Sequence, residues 1–343
     1  MKNIIKLALP LLFAFSGFAK ADYPEFQKGM TYVSWWHNQY SSVESNQSLQ
    51  ELSETNTERI SLLTTQYVDS LNQTDIHSIK DKTPTDNSLV DAINNSRDFG
   101  MEVMLKPHID VGYNSKPWRG YITFSNEDDW KDWFDEYKGF IKHYAQFAEA
   151  NDVNLFCIGT ELKGTTHRQE WNEVIQVVRE NYHGKITYAA NWDNFENISW
   201  LGSLDYIGID AYFPLTSSTN PTVSDLVTAW QPNLDKLETL HQKFQKPILL
   251  TEIGYKSKDG TNIQPWSLDT QEQADCYQAA FESLWDKSWF SGMYWWAWDT
   301  HPDQGGLTDE DYTPHGKPAE NILKVWYSKE RKKSSVTDWN KYE

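Results

Sequence analysis

The chain has 343 residues, 39% hydrophobic and 15% aromatic, with 17 Trp and a formal net charge of −18. That length and apolar share suffice for a large core and match one α/β barrel, so a single domain is expected. So acidic a surface argues against nucleic acid as a partner, while a neutral substrate is not repelled.

The amino terminus carries Lys2 and Lys6, an apolar run from Leu7 to Phe18, and then Ala19-Lys20-Ala21. Charged, apolar and small-residue regions in that order read as a secretory signal peptide over 1–21. The mature chain, 22–343, then starts at Asp22 and is secreted or periplasmic, and loss of three lysines takes the charge from −18 to −21. The apolar run is shorter than the roughly 20 residues of a membrane span, and nothing later approaches that length, so the mature form has no membrane partner. A monomer is expected.

Short apolar runs then alternate with helical patterns, the rhythm of repeated βα units with parallel strands. Eight strands are predicted near 30–36, 58–67, 101–109, 154–161, 185–191, 206–212, 247–254 and 292–298. They imply an α/β fold, a (β/α)8 TIM barrel, with helices between most of them. One helix is expected from Thr83-Pro84, with Pro at its first position, to Gly100. Another follows Ser125, which with Asp128 makes a capping-box pattern, and its apolar face recurs at Trp130, Trp133, Phe134, Tyr137, Ile141 and Tyr144. Those aromatics read as core. Cys157 and Cys276 fall on separate elements and read as two separate thiols. After Tyr327 the composition turns to Lys, Ser and Asp, a short polar tail.

In a barrel the chemistry sits where strands end at the carboxyl face. Here those ends are polar and aromatic: Ser34-Trp35-Trp36-His37, Lys106-Pro107-His108-Ile109-Asp110, Asn191-Trp192-Asp193, Asp210-Ala211-Tyr212 and Trp296-Ala297-Trp298-Asp299. Two further strands end in glutamates, Glu161 after VNLFCIGT and Glu252 after PILLT. Two carboxylates across one cleft, ringed by Trp and Tyr, meet the demands of glycoside hydrolysis. One acid protonates the leaving oxygen while the other carboxylate attacks the anomeric carbon or activates water. Trp offers a flat face for the CH side of a sugar, and Asn, His, Asp and Lys serve its hydroxyls.

These stretches also carry a resemblance. Glutamates ending strands four and seven are the defining arrangement of the clan A retaining glycosidases. LKPHID, IGTEL, IGIDAYFPL, LTEIGY and YWWAWDT, five motifs in order at five strand ends, are similar to glycoside hydrolase family 113, best known for endo-β-1,4-mannanases. The likeness runs from about Gly29 to Trp326 and takes in YTPHGKPA at Tyr312 to Ala319. It implies Glu161 as acid/base, Glu252 as nucleophile and Tyr212 contacting the nucleophile. It also implies a β-1,4-mannan or a related polysaccharide or oligosaccharide as substrate, with no cofactor. The clan places Asn before the acid/base, whereas here that residue is Thr160, which leaves the sugar 2-hydroxyl to Asn191 or His108.

Glu161 is therefore expected to have the raised pKa, through burial and the nearby Glu252. The competing reading makes both glutamates buried structural carboxylates paired with Lys or Arg. Substrate contacts are assigned to Trp35, Lys106, His108, Asn191, Trp192, Asp210, Tyr212, Trp296 and Trp298. For Lys106 and His108 the alternative is a structural polar network. Trp296 and Trp298 share a parity along their strand, so both are expected on one face with at least one stacking on sugar, while Trp295 packs outward. Arg59, early in its strand, is a candidate to neutralise a barrel carboxylate, the alternative being that it sits too low to reach one. A metal reading through His108 with Asp110 or His301 with Asp303 lacks recognised ligand spacing, and a GxSxG elbow is missing; no metal is expected. The other readings are the same mechanism on another β-glycan or exopolysaccharide, and a non-catalytic glycan-binding barrel. Cleft walls are assigned to loops 113–126, 214–223 and 256–267.

Overall fold

A computed structural model describes residues 26–112, 117–260 and 267–331; the signal peptide assigned to 1–21 and most of the polar tail lie outside them. Eight parallel strands close into a barrel in sequence order. They are β1 (Gln27–Val33), β2 (Arg59–Val68), β3 (Glu102–Val111), β4 (Leu155–Thr160), β5 (Lys185–Asn191), β6 (Ile207–Asp210), β7 (Ile248–Ile253) and β8 (Phe290–Asp299). Each predicted strand is present, with ends moved by up to three residues. Around them lie α1 (Val43–Ser53), α2 (Asp86–Asp98), α3 (Glu127–Ala150), α4 (Trp171–Asn181), α5 (Val223–Phe244), α6 (Thr270–Leu284) and α7 (Pro318–Tyr327). Between β5 and β6 the described chain forms only the 3-10 turns Phe195–Asn197 and Leu201–Ser203.

The helix starts follow the caps. Asn126, not Ser125, caps α3, its side chain accepting from Asp129 N, and Asp128 is already in the first turn. Thr85 caps α2 by accepting from Ser88 N, so Pro84 stays just outside the helix. In both cases a short polar side chain one or two residues later was placed to satisfy a free N–H. The apolar stripe of α3 is buried as its spacing predicts, through Trp130, Trp133, Phe134, Tyr137, Ile141 and Tyr144.

The barrel is filled rather than hollow. Met104, Leu155, Cys157, Ala189, Tyr206, Leu249 and Tyr294 form a separate buried cluster within it. Tyr294 donates to Gln27 Oε1 at 2.6 Å, and its ring takes the space beside Gly29, where a Cβ would come within 2.4 Å of it. Arg59 pairs with Glu102 at the amino end of β2 and β3, away from the cleft, which is the lower of the two placements weighed for it. Cys157 and Cys276 are separate buried thiols. No helix among the described residues is long and apolar enough to cross a membrane.

Regular alternation fails at the carboxyl ends. Bulges interrupt β4 against β5 between Cys157 and Thr160, β7 against β6 between Leu250 and Glu252, and β8 against β1 between Trp295 and Trp298. An extra residue re-aims the side chains that follow it, and bulges gather at barrel rims for that reason. The last bulge contains the cis peptide Trp296–Ala297.

Candidate active site

Glu252, next to last in β7, has both carboxylate oxygens held. Lys106 on β3 donates to Oε1 at 2.5 Å, and the Tyr212 hydroxyl donates to Oε2 at 2.6 Å. Lys106 reaches across the barrel interior and also contacts Asp210 at 3.2 Å, whose Oδ1 accepts from Thr251 Oγ1 at 2.8 Å. Lys106 and Asp210 are fully buried. Burial alone would drive the Lys106 ammonium down, but Asp210 and Glu252 outweigh it and hold the group above its ordinary value. Burial, and then the charge of Glu252, pushes Asp210 well above the usual carboxylate range. One cation thus serves two acids, and Glu252 receives the shortest of its contacts. Lys106 and Asp210 lie beneath the cleft without exposed surface, so the structural network weighed for Lys106 is its observed setting.

Glu161 is held differently. It stands just beyond β4 with φ of 52°, a left-handed conformation uncommon for a residue with a Cβ and found disproportionately at functional sites. Its backbone N–H still donates to Ala189 O at 2.9 Å, while the turn frees the side chain toward the cleft. Trp118 Nε1 donates to its Oε2 at 3.1 Å. Burial raises the pKa of Glu161, Arg119 opposes that, and the negative Glu252 adds to the rise. The direction and the contribution of Glu252 are those expected from the sequence.

Arg119, next to Trp118, pairs with Asp110 at 2.9 Å and donates from Nη1 to His108 Nδ1 at 2.9 Å. A guanidinium only donates, so Nδ1 accepts and the proton of the neutral ring is on Nε2. Burial first, then Arg119 and Lys106, lower the His108 pKa well below its usual value, which keeps the ring neutral. Its Nε2 is buried without a partner, as is Thr160 Oγ1. Asn191 directs its amide nitrogen to Asp193 at 2.5 Å, and Asp193 meets Lys163 at 2.6 Å. Trp192 is half-buried against the outer core. His301 is bonded to Asp299, not Asp303, and among the described residues no three His, Cys, Asp or Glu side chains gather to hold a metal ion.

The aromatics divide at the β8 bulge. Trp296 and Trp35 meet edge to face at 6.4 Å, both partly exposed at the cleft. Trp298, expected on the same face, points out of the barrel instead. It is 1% exposed, donates to Ser48 Oγ of α1 at 2.9 Å and stacks on His315 at 4.3 Å. The extra residue opposite β1 reverses its parity, so the sugar-contact assignment of Trp298 is corrected to a barrel–helix packing role. Trp295 packs outward as expected, stacked on Tyr277 of α6 at 3.6 Å.

Three residues at this end were missed by sequence reasoning. Trp118 immediately precedes, and Arg119 begins, the 3-10 turn Arg119–Tyr121, where no periodicity marks them; the local signal was Gly120, since a Cβ there would come within 2.2 Å of the Trp118 ring. Tyr312 belongs to the YTPHGKPA segment and stands edge to face with Tyr212 at 5.9 Å. Burial, Asp311 and then both Glu252 and Glu161 raise its pKa, which places it by the two acids. It is fixed from behind by Lys317, whose buried ammonium donates to Asp309 Oδ1 at 2.6 Å, Ser257 Oγ at 2.7 Å and Asp311 O at 2.8 Å. Gln273 of α6 adds bonds of 2.9 Å to Tyr255 O and Tyr312 O.

A closed barrel with two glutamates at its β4 and β7 ends, one half-buried and one buried, and aromatic walls defines a glycoside hydrolase. The model of Glycoside Hydrolase Family 113 matches residues 30–317, and the chain belongs to that family. It is similar to a solved GH113 β-1,4-mannanase complex at 26% identity and TM-score 0.81, covering 90% of this chain and 100% of that one. The GH113 β-mannanase AaManA from Alicyclobacillus acidocaldarius, in complex with ManMIm, is similar at 26% identity and TM-score 0.81 over 89% of this chain and 98% of that one. A β-glucuronidase from Faecalibacterium prausnitzii, at 12% identity and TM-score 0.59 over 89% of this chain and 49% of that one, shares the fold. No curated protein matches the chain in sequence.

Proposed function

We propose that this chain is an exported endo-β-1,4-mannanase that works with retention of anomeric configuration. The observation that carries the reading is the asymmetry of the two acids. Glu252 has both oxygens bonded, by the Lys106 ammonium and the Tyr212 hydroxyl, whereas Glu161 has a single indole donor and burial holds it toward its protonated form. An ionised carboxylate opposite a protonated one is the starting state of double displacement.

Glu252 attacks the anomeric carbon as the bond to the leaving oxygen breaks, and Glu161 delivers its proton to that oxygen. The Glu161 carboxylate then takes a proton from water, the water oxygen bonds to the anomeric carbon, and the bond to Glu252 breaks. Trp35 and Trp296 offer the apolar faces on which the sugar rings stack. The mannosidic preference is supported by the family and by the mannanases that the chain resembles. Export is supported by the charged, apolar and small-residue order of residues 1–21.

The test is hydrolysis of defined β-1,4-manno- and β-1,4-gluco-oligosaccharides with the first product's anomer followed by NMR. Manno-chains cut internally to give the β-anomer first are the expected result. An α-anomer as first product would sink retention, and turnover confined to gluco-chains would sink the mannan assignment.

A further inference from the structure

Asp210 and Glu252 come to lie side by side because of one extra residue. The ladder between β6 and β7 pairs Ile209 with Leu250 and then Asp210 with Glu252, so Thr251 is left over at a bulge. In a regular ladder Asp210 would stand opposite Thr251, and Glu252, one residue on, would face away from the barrel interior. Carboxylates placed opposite each other on neighbouring strands repel, and both of these are buried. Burying them together calls for a cation between them.

Lys106 supplies it, and its contacts are unequal. Its Nζ lies 2.5 Å from Glu252 Oε1, whereas Asp210 Oδ1 and Oδ2 are at 3.2 and 3.4 Å and the Thr251 carbonyl is at 3.5 Å. The leftover Thr251 also fixes Asp210, donating from Oγ1 to Oδ1 at 2.8 Å. The side chains of Asp210 and Lys106 have no exposed surface, so neither reaches a substrate in the cleft. Asp210 therefore bears on the chemistry only through the lysine.

The reaction changes what that lysine faces. As Glu252 bonds to the anomeric carbon, the bond to the leaving oxygen breaks and that oxygen takes the proton of Glu161. The Glu252 carboxylate is then a neutral ester, and the ion pair in its Lys106 contact is gone. A buried ammonium left without a counter-charge is strongly unfavourable, but Asp210 is already within reach of it through both oxygens. The Glu252 charge is also one of the causes that hold Asp210 above the usual carboxylate range. Esterification abolishes that charge, so the pull of Lys106 on Asp210 is no longer opposed.

We propose that Asp210 is a positioning residue for the glycosyl-enzyme: it keeps the Lys106 ammonium paired while Glu252 is an ester, and returns it to Glu252 when water frees the carboxylate. The proposal rests on the double-displacement reading and adds to it the residue that balances the charge of the intermediate.

Formation and breakdown of the ester respond to such a residue in opposite directions. With Asp210→Asn the free enzyme gives Lys106 wholly to Glu252, while the intermediate holds an unpaired ammonium. Both steps are timed with 2-deoxy-2-fluoro-β-mannotriosyl fluoride, a slow substrate whose fluoride leaves without a proton, by following loss of activity and then its recovery. Labelling of Glu252, read by mass spectrometry, should be about tenfold slower in Asp210→Asn, the scale of one hydrogen bond to a charged group, and release of the label should be faster than in the unaltered protein. Thr251→Val keeps the β-branched shape and removes the donor to Asp210 Oδ1. It should give the same opposed shifts at smaller size, and it decides alone if Asp210→Asn does not fold. Unchanged rates, or both steps slowed together as a general loosening of the site would produce, overturn the proposal and leave the retaining reading intact. An unaltered protein that hydrolyses mannan yet takes no label on Glu252 sinks the retaining reading and the proposal with it.

Discussion

Glu252 and Glu161 are the same side chain in opposite settings. Glu252 lies within β7, beside its bulge, with a cation on one oxygen and a phenol on the other. Glu161 lies one residue past its strand, in a left-handed turn, with a single indole donor from a neighbouring loop. The difference teaches that two identical carboxyl groups recruit unequal sets of donors, and that burial, opposed by Arg119, raises the pKa of the less well bonded one. A rigid strand facing Lys106 can anchor an anion; a turn lined by tryptophan can tolerate a proton. The arginine behind Trp118 keeps that second setting from becoming merely apolar.

Removing the anchored anion should break the pair most severely. Glu252→Gln should lower kcat on every substrate by about 10⁵-fold, the scale of deleting a nucleophile. Steady-state assays on mannohexaose and on an aryl β-mannoside check this, and retention of a tenth of the rate on either would place the nucleophile elsewhere. Glu161→Gln should cost about 10²- to 10⁴-fold on mannohexaose. With a dinitrophenyl mannoside, whose leaving group needs no proton, a burst of dinitrophenol should survive in rapid mixing. Equal loss on both substrates would dissolve the distinction between the two acids.

The setting of Glu252 can be probed without touching it. Lys106→Met leaves Asp210 and Glu252 buried without their cation and should destabilise the fold by about 3 to 5 kcal/mol in urea titration. Adding Asp210→Asn should recover part of that loss, since it removes the carboxyl group that shared the lysine with Glu252. If the double variant were no more stable than the single, the shared-cation account would be wrong.

Two smaller effects sharpen the comparison. Trp296→Ala should reduce kcat/KM on mannohexaose about tenfold through lost stacking, whereas Trp298→Ala should lower the melting temperature and leave KM near its starting value. Trp118→Phe removes a donor that favours the Glu161 anion. Its pKa should rise further, so the basic limb of the kcat/KM profile moves to higher pH. A basic limb that moved down would mean that Trp118 stabilises the protonated form. The same raised pKa bears on stability. A group that binds its proton more tightly when folded adds stability below its unfolded pKa, and that contribution fades as pH rises through the folded pKa. Glu161→Gln should therefore flatten the decline in stability above the ordinary carboxylate range.

Much of this architecture was legible in the chain. The strands could be placed because each is an apolar run with a polar end, and Glu161, Glu252 and Tyr212 could be named because they stand at those ends. What escaped was whatever depends on a departure from period. Trp298 has the parity of Trp296, and only the bulge opposite Tyr32 turns it toward α1. Trp118, Arg119 and Tyr312 sit on loops, where sequence spacing carries no directional information. The caps of α2 and α3 moved by one or two residues because Thr85 and Asn126, rather than Thr83 and Ser125, accept from the first free N–H groups, the Thr83 hydroxyl being taken by Ile79 N.

The buried Lys317 has a consequence for re-engineering. Its ammonium ties Ser257, after β7, to Asp309 and Asp311, after β8, and Gln273 links the same two segments from α6. These segments form one graftable cassette rather than two interchangeable parts. Transplanting the β8 segment alone into a related scaffold would carry Lys317 to a place without its serine, while Tyr312 would arrive with no backing. A chimaera that exchanges both segments together with the face of α6 bearing Gln273 preserves every partner of that lysine.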